Sequence, residues 1–111
     1  MVVVTTDNIL IMKKIYVSLP ISGYPLESRI REAQRVKRNL EYIQRDVKVV
    51  TPFDVNENED KDSYARKMGN DIEALLECDR VHFCQGWCES KGCQLEFAAA
   101  KLYDKEITFD K

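Results

Sequence analysis

The chain has 111 residues, room for one domain whose core needs no disulfide or metal staple, since a chain of this length buries roughly 65% of its unfolded surface. Hydrophobic residues make up 44% and charged residues 32%, which excludes a disordered chain, and no apolar run approaches the ~20 residues of a membrane span. Lys plus Arg number 17 and Asp plus Glu 19, a net charge of −2 that argues against a nucleic-acid polymer as partner and leaves a small nucleotide open.

Residues 1–12 (MVVVTTDNILIM) lack a basic start, a long apolar stretch and a small-residue cleavage site, so no secretory signal is expected and the protein is expected in the cytoplasm. They read as an N-terminal extension to a domain over residues 13–111, or, from Val2–Val4 and Ile9–Ile11, as an extra edge strand. Ile15–Leu19 is a short apolar run ended by Pro20 and predicts the first strand. Leu26–Arg45 carries Ile30, Ala33, Val36, Leu40 and Ile43 at helical spacing, an amphipathic helix with one buried stripe. Val47–Thr51 predicts a second strand, closed by Pro52, and the acidic, polar residues 54–62 a surface loop. A second helix is predicted over Ser63–Cys78, with Met68, Ile72, Leu75 and Leu76 inward and Gly69 weakening its middle. Arg80–Cys84 predicts a third strand and Gln85–Lys91 a turn region. A third helix is expected from Ser90 or Gly92 to Tyr103, with Leu95, Ala98, Ala99 and Leu102 inward, and a last strand over Ile107–Phe109.

This alternation implies an α/β fold: an open parallel sheet, Rossmann-like or flavodoxin-like, of about four to five strands with helices on both faces. Ligands of such sheets bind outside the carboxyl ends of the strands, where strand order reverses. The loops Pro20–Pro25, Pro52–Asn56 and Gln85–Lys91 are therefore where a site is expected.

Three segments in or beside those loops carry residues with chemistry. Ser22 and Gly23 precede the first helix, where free N–H groups favour an anion, although a tight turn capping the helix explains them as well. Asp71 adjoins the inward Ile72 and is either a solvated residue at the edge of the stripe or a ligand contact, whereas Asp79 sits where a turn role is expected. In the third segment Ser90 is a candidate N-cap and Gly92 permits close backbone approach. Glu96, between Leu95 and Phe97 and ahead of three alanines, is either an ordinary exposed helix glutamate or a partly desolvated carboxylate with an adjustable proton affinity. The cysteines Cys78, Cys84, Cys88 and Cys93 form no CxxC pair, so apolar packing of reduced thiols is preferred over a zinc site built with His82. No metal and no cofactor are expected.

The runs KIYVSLPISGY, NDIEALLECDRV and GWCESKGCQLEFAAA together resemble the nucleoside 2-deoxyribosyltransferase-like superfamily, and within it a group of small bacterial and phage domains. The resemblance covers about Lys13–Phe109. It implies that Glu96 is the nucleophile toward the anomeric carbon, that Asp71 stands near the base and leaving group, and that Tyr16 orients the nucleophile. It also implies that Ser90 helps hold a 5′-phosphate, with Ile21, Ser22 and Gly23 as the phosphate-side loop. Pro20 in that loop, Gly92 by its close backbone approach and Trp87 as a pocket aromatic are expected beside the substrate as well. Ser22 stands where the monophosphate glycosidases carry an arginine, and Pro20 where they carry a serine, so charge recognition of phosphate is expected to be weaker, with Lys91 or Arg29 as substitutes. The longer transferases use a C-terminal segment that touches the sugar in a neighbouring subunit, and a chain ending at Lys111 is expected to lack it. The implied function is cleavage or transfer at the N-glycosidic bond of a nucleoside or nucleoside 5′-monophosphate. The alternative is a nucleotide-binding or sensing module of the same fold without turnover. A homodimer or higher homo-oligomer is expected, with Tyr24, Tyr42, Tyr64, Trp87 and Tyr103 as interface or pocket aromatics.

Overall fold

The structure is a computed structural model that describes residues 13–56 and 63–111. The extension expected over residues 1–12 lies outside the described residues. Strand β1 (Lys13–Ser18) is followed by helix α1 (Leu26–Ile43), strand β2 (Val47–Val50) and a one-turn helix α2 (Pro52–Val55). Helix α3 (Tyr64–Leu76), strand β3 (Arg80–Phe83), a 3-10 turn (Trp87–Glu89), helix α4 (Lys91–Leu102) and strand β4 (Glu106–Phe109) complete it. The four strands are all parallel, in the order β2-β1-β3-β4.

That order follows from the apolar pattern. β1 is central, and Ile15, Tyr16, Val17 and Ser18 are all fully buried because helices cover both faces. Alternate residues then go to opposite layers. Ile15, Val17 and Leu19 join Val47, Val49 and Cys84 under Ala33 and Val36 of α1. Tyr16 joins Val81 and Phe83 on the other face, against Leu75 of α3 and Ala100 of α4. The chain crosses from β1 to β2 through α1 and returns through α3 to β3 on the far side of β1, so the switch point lies between the carboxyl ends of β1 and β3.

The helix boundaries follow local chemistry. Thr51 caps α2 through a capping box with Asp54, with Pro52 at its first position. Asp54 and Val55 thus belong to a helical turn, not to the surface loop expected from residue 54. Ser63 and Ser90 cap α3 and α4, each side chain accepting a backbone N–H three residues on. Asp79 takes the junction role expected of it, its carboxylate accepting the Lys14 N–H at 2.9 Å.

The rotation of two helices differs from the hydrophobic pattern. In α3 the buried positions are Asp71 and Leu75, with Ile72 only half-buried. In α4 they are Cys93, Glu96 and Ala100, while Leu95 and Leu102, expected inward, are exposed. α3 buries Asp71 beside the expected Leu75, and α4 buries Glu96 in the layer that its leucines were expected to fill.

Trp87, Phe97 and Phe109 gather round the fully buried Phe83, with the Trp87 ring stacked on Phe97 at 4.7 Å between centroids. This cluster ties the 3-10 turn, α4 and β4 to the centre of the sheet. Phe83→Ala is expected to lower stability by about 3–5 kcal/mol in urea unfolding, whereas Leu95→Ala, on the exposed side of α4, is expected to stay within about 0.5 kcal/mol.

Candidate active site

Tyr16 and Ser18 are two residues apart on β1 and so share the face that looks at α4. Both reach the same side chain. The Tyr16 hydroxyl donates to Glu96 Oε2 at 2.9 Å and the Ser18 hydroxyl to Glu96 Oε1 at 2.6 Å. Each carboxylate oxygen has one donor, so the group is held along a fixed axis although Glu96 is only 4% exposed.

A second buried carboxylate faces it. Asp71 is 7% exposed, and its Oδ1 accepts the Asn56 side-chain amide at 2.8 Å. Burial pushes the Glu96 carboxyl up to about 7, with the Asp71 charge adding to it and the Ser18 and Tyr16 hydroxyls opposing it. Burial likewise pushes Asp71 up to about 6, opposed by Asn56 and by the Tyr16 hydroxyl. Tyr16, buried and beside both carboxylates, keeps its own proton far above the usual phenol range. Burial is the main cause of both shifts, and the Asp71 charge adds to that on Glu96.

Both carboxylates line a cleft of about 520 Å³, the size of a small-molecule site. The three expected loops supply its rim: Pro20, Ile21 and Ser22 after β1, Pro52, Phe53 and Asn56 after β2, and Gly86 and Ser90 after β3. Tyr24, Phe53 and Tyr64 offer aromatic surface, and Lys67 and Lys91 positive charge. Two glycines let the walls close up. Gly86 has φ 85°, open to glycine at little cost, and a side chain on it would meet Pro20 at 3.4 Å. At Gly92 a side chain would touch Met68 Sδ and Tyr64 Oη at 3.4 Å, at the edge of the cleft between α4 and α3.

The site residues named from the sequence are mostly brought together. Glu96, Asp71, Pro20, Ile21, Ser22, Ser90 and Gly92 line the cleft, and Tyr16 stands behind Glu96. Gly23 forms the turn at φ 88° and is not among the lining residues. Trp87 is not in the wall either; its indole is taken up by the aromatic cluster around Phe83. Of the two cations suggested for phosphate, Lys91 lines the cleft, whereas Arg29 lies over the Tyr24 ring at 4.4 Å. The sequence reading missed Ser18 and Asn56. Ser18 was within reach, since a residue two from Tyr16 on a strand shares its face; Asn56 closes the expected Pro52–Asn56 loop, but its side chain was not singled out there.

The metal alternative has no geometry behind it. Nδ1 of His82 is 2.9 Å from the Thr108 hydroxyl, Cys84 is buried in the α1-side core and Cys88 is exposed. Among the described residues no three His, Cys, Asp or Glu side chains are placed to hold a metal ion. Nor, among them, is any helix long and apolar enough to cross a membrane.

Comparison with known proteins assigns the family and the fold. Residues 13–109 match the family model described as "Domain of unknown function (DUF4406)", and the chain belongs to that family. No curated protein sequence matches it. Its structure is similar to that of a 2-desoxiribosyltransferase from Leishmania mexicana, with a TM-score of 0.65 and 16% identity over 87% of this chain and 63% of that one. It is also similar to a 2-deoxyribosyltransferase from the psychrotolerant bacterium Bacillus psychrosaccharolyticus, with a TM-score of 0.59 and 19% identity over 86% of this chain and 70% of that one. The chain thus has the deoxyribosyltransferase fold and spans less than two thirds of the length of the Leishmania protein.

The raised carboxyls have a consequence for stability. Glu96 holds its proton up to about 7 when folded against an ordinary value of 4.5, so the stability this contributes is complete below about 4.5 and is lost as pH rises through about 7. Glu96→Gln, which removes the buried charge, is expected to be more stable than the parent by about 3 kcal/mol at pH 8, with the gain shrinking toward pH 5. Urea unfolding at the two pH values measures this.

Proposed function

We propose that the protein breaks the N-glycosidic bond of a nucleoside or nucleoside 5′-monophosphate, with Glu96 as nucleophile and Asp71 as acid. The observation that carries this reading is the buried Glu96 carboxylate, aimed by two hydroxyls at the wall of a nucleoside-sized cleft with a second carboxyl beside it. The fold shared with the two deoxyribosyltransferases supports it, because those proteins are named for transfer of a deoxyribosyl group.

Breaking this bond leaves positive charge on the sugar ring and negative charge on the departing base. In the first step a Glu96 oxygen forms a bond to the anomeric carbon. The bond from that carbon to the base nitrogen breaks, its electron pair goes to the base, and the base takes the Asp71 proton. In the second step water, or a second base, attacks the same carbon, the ester to Glu96 breaks, and the attacking group returns its proton to Asp71. Tyr16 and Ser18 keep Glu96 in line during both steps, an orientation fixed before substrate arrives. The aromatic groups of Tyr24, Phe53 and Tyr64 supply surface for the base. Lys67, Lys91 and the capped start of α4 supply positive potential for a 5′-phosphate.

The reacting form has Glu96 ionised and Asp71 protonated; because burial holds Glu96 higher (about 7) than Asp71 (about 6), it is the minor of the two singly protonated forms, and base release is expected to follow a bell-shaped pH profile centred between about 6 and about 7. Incubation with deoxynucleosides and their monophosphates, followed by chromatography, reads freed or exchanged base. Glu96→Gln is expected to lose at least about a thousandfold of that activity and Asp71→Asn about a hundredfold. Full turnover by Glu96→Gln would remove the nucleophile from the scheme.

A further inference from the structure

Asn56 is 7% exposed, and both ends of its side chain are committed. Its amide nitrogen donates to the Pro52 carbonyl at 3.1 Å and to Asp71 Oδ1 at 2.8 Å. Its oxygen accepts the Asn70 amide at 3.1 Å. Turned over, the group would set its own amide against that of Asn70 and its oxygen against a carbonyl and a carboxylate, so this network allows one orientation. The backbone is fixed as well. The Asn56 N–H bonds to the Pro52 carbonyl at 3.0 Å and closes α2, whose other end is held by the Thr51–Asp54 capping box. Asn56 therefore braces the exit of β2 against Asn70 and Asp71, consecutive residues of α3.

We propose that Asn56 is the positioning residue for Asp71: by donating to Oδ1 it reserves that oxygen as an acceptor and confines the carboxyl proton to Oδ2. The proposal deepens the function given above and rests on Asp71 acting there as the acid. Protonated at Oδ1, that oxygen would be a poorer acceptor for the Asn56 amide than the unprotonated oxygen is, so the proton is favoured on Oδ2. Both amide hydrogens are used within the protein, so Asn56 acts through Asp71 and keeps none for a ligand. Donation also favours the ionised carboxyl, which works against burial and keeps the proton transferable near neutral pH. The other titratable groups facing Asp71 are Tyr16 from β1 and Cys93 and Glu96 from α4, with Lys67 lining the same cleft from α3 itself.

Carbon-13 carboxyl NMR on the whole chain tests this without substrate. In Asn56→Leu the Asp71 titration midpoint is expected to move up by about one pH unit. In Asn70→Ala, where the Asn56 amide is free to turn, it is expected to move the same way by less. An unmoved midpoint in folded Asn56→Leu overturns the proposal, and if that variant does not fold, Asn70→Ala decides by the same criterion. In the base-release assay kcat of Asn56→Leu is expected to fall about tenfold with KM within about twofold, and the acid limb of the profile to move up. A moved midpoint with kcat unchanged would sustain the hold of Asn56 on the carboxyl and remove Asp71 as the acid, so the two failures are distinct.

Discussion

The hydroxyls of Tyr16 and Ser18 meet the two oxygens of Glu96 where the sheet touches α4, and the arrangement around the cleft is organised by that contact. A carboxylate inside a protein is costly unless donors replace the water it leaves. Here the donors come from the central strand, the least mobile part of an open sheet. Because they are on alternate residues of one strand, they fix both the position and the rotation of the helix that brings Glu96. The helix in turn carries Ser90, Gly92 and Cys93 to their places, with Ala100 filling the layer one turn further on. The Asp71–Asn56 contact repeats the device on α3, with a loop residue as donor in place of a strand.

The topology explains why two such carboxyls meet at one end of the sheet. β1 leads into α1 on one face and β3 into α4 on the other, so the chain parts at their carboxyl ends and leaves a gap that no side chain of the sheet fills. α2 and α3 close the third side. The gap is a by-product of strand order, and its chemistry is set by which residues the surrounding helices turn toward it.

Much of this was legible in the sequence. The strands, the long helices and the three rim loops follow from apolar runs, helical spacing and Pro or Gly punctuation, because these patterns record the burial of apolar surface, the strongest force driving the chain to fold. The rotation of α3 and α4 was not legible by that logic. Spacing of Leu95, Ala98 and Leu102 points one face of α4 at the core, yet Glu96 is the residue that meets the pair of hydroxyls on β1, and Leu102 is left 78% exposed. Only the family resemblance singled out Glu96 and Asp71 together; periodicity treated the first as an exposed residue or a desolvated one. Trp87 was drawn toward the substrate by its aromatic type, but Phe83, Phe97 and Phe109, far apart in sequence, form the surface it stacks on. Pairings of that kind depend on long-range register and leave no local mark. Asn56 was hidden for the same reason, since its partners lie 14 and 15 residues on, beyond a polar stretch.

The position of that indole has a practical side. Trp87 is the single tryptophan of the chain, and the ring it stacks on belongs to Phe97, the immediate neighbour of Glu96. Its emission therefore comes from one spot, stacked on the residue next in sequence to the carboxylate that lines the cleft. A loosening of the last helix is therefore expected to register in a native fluorophore that needs no label.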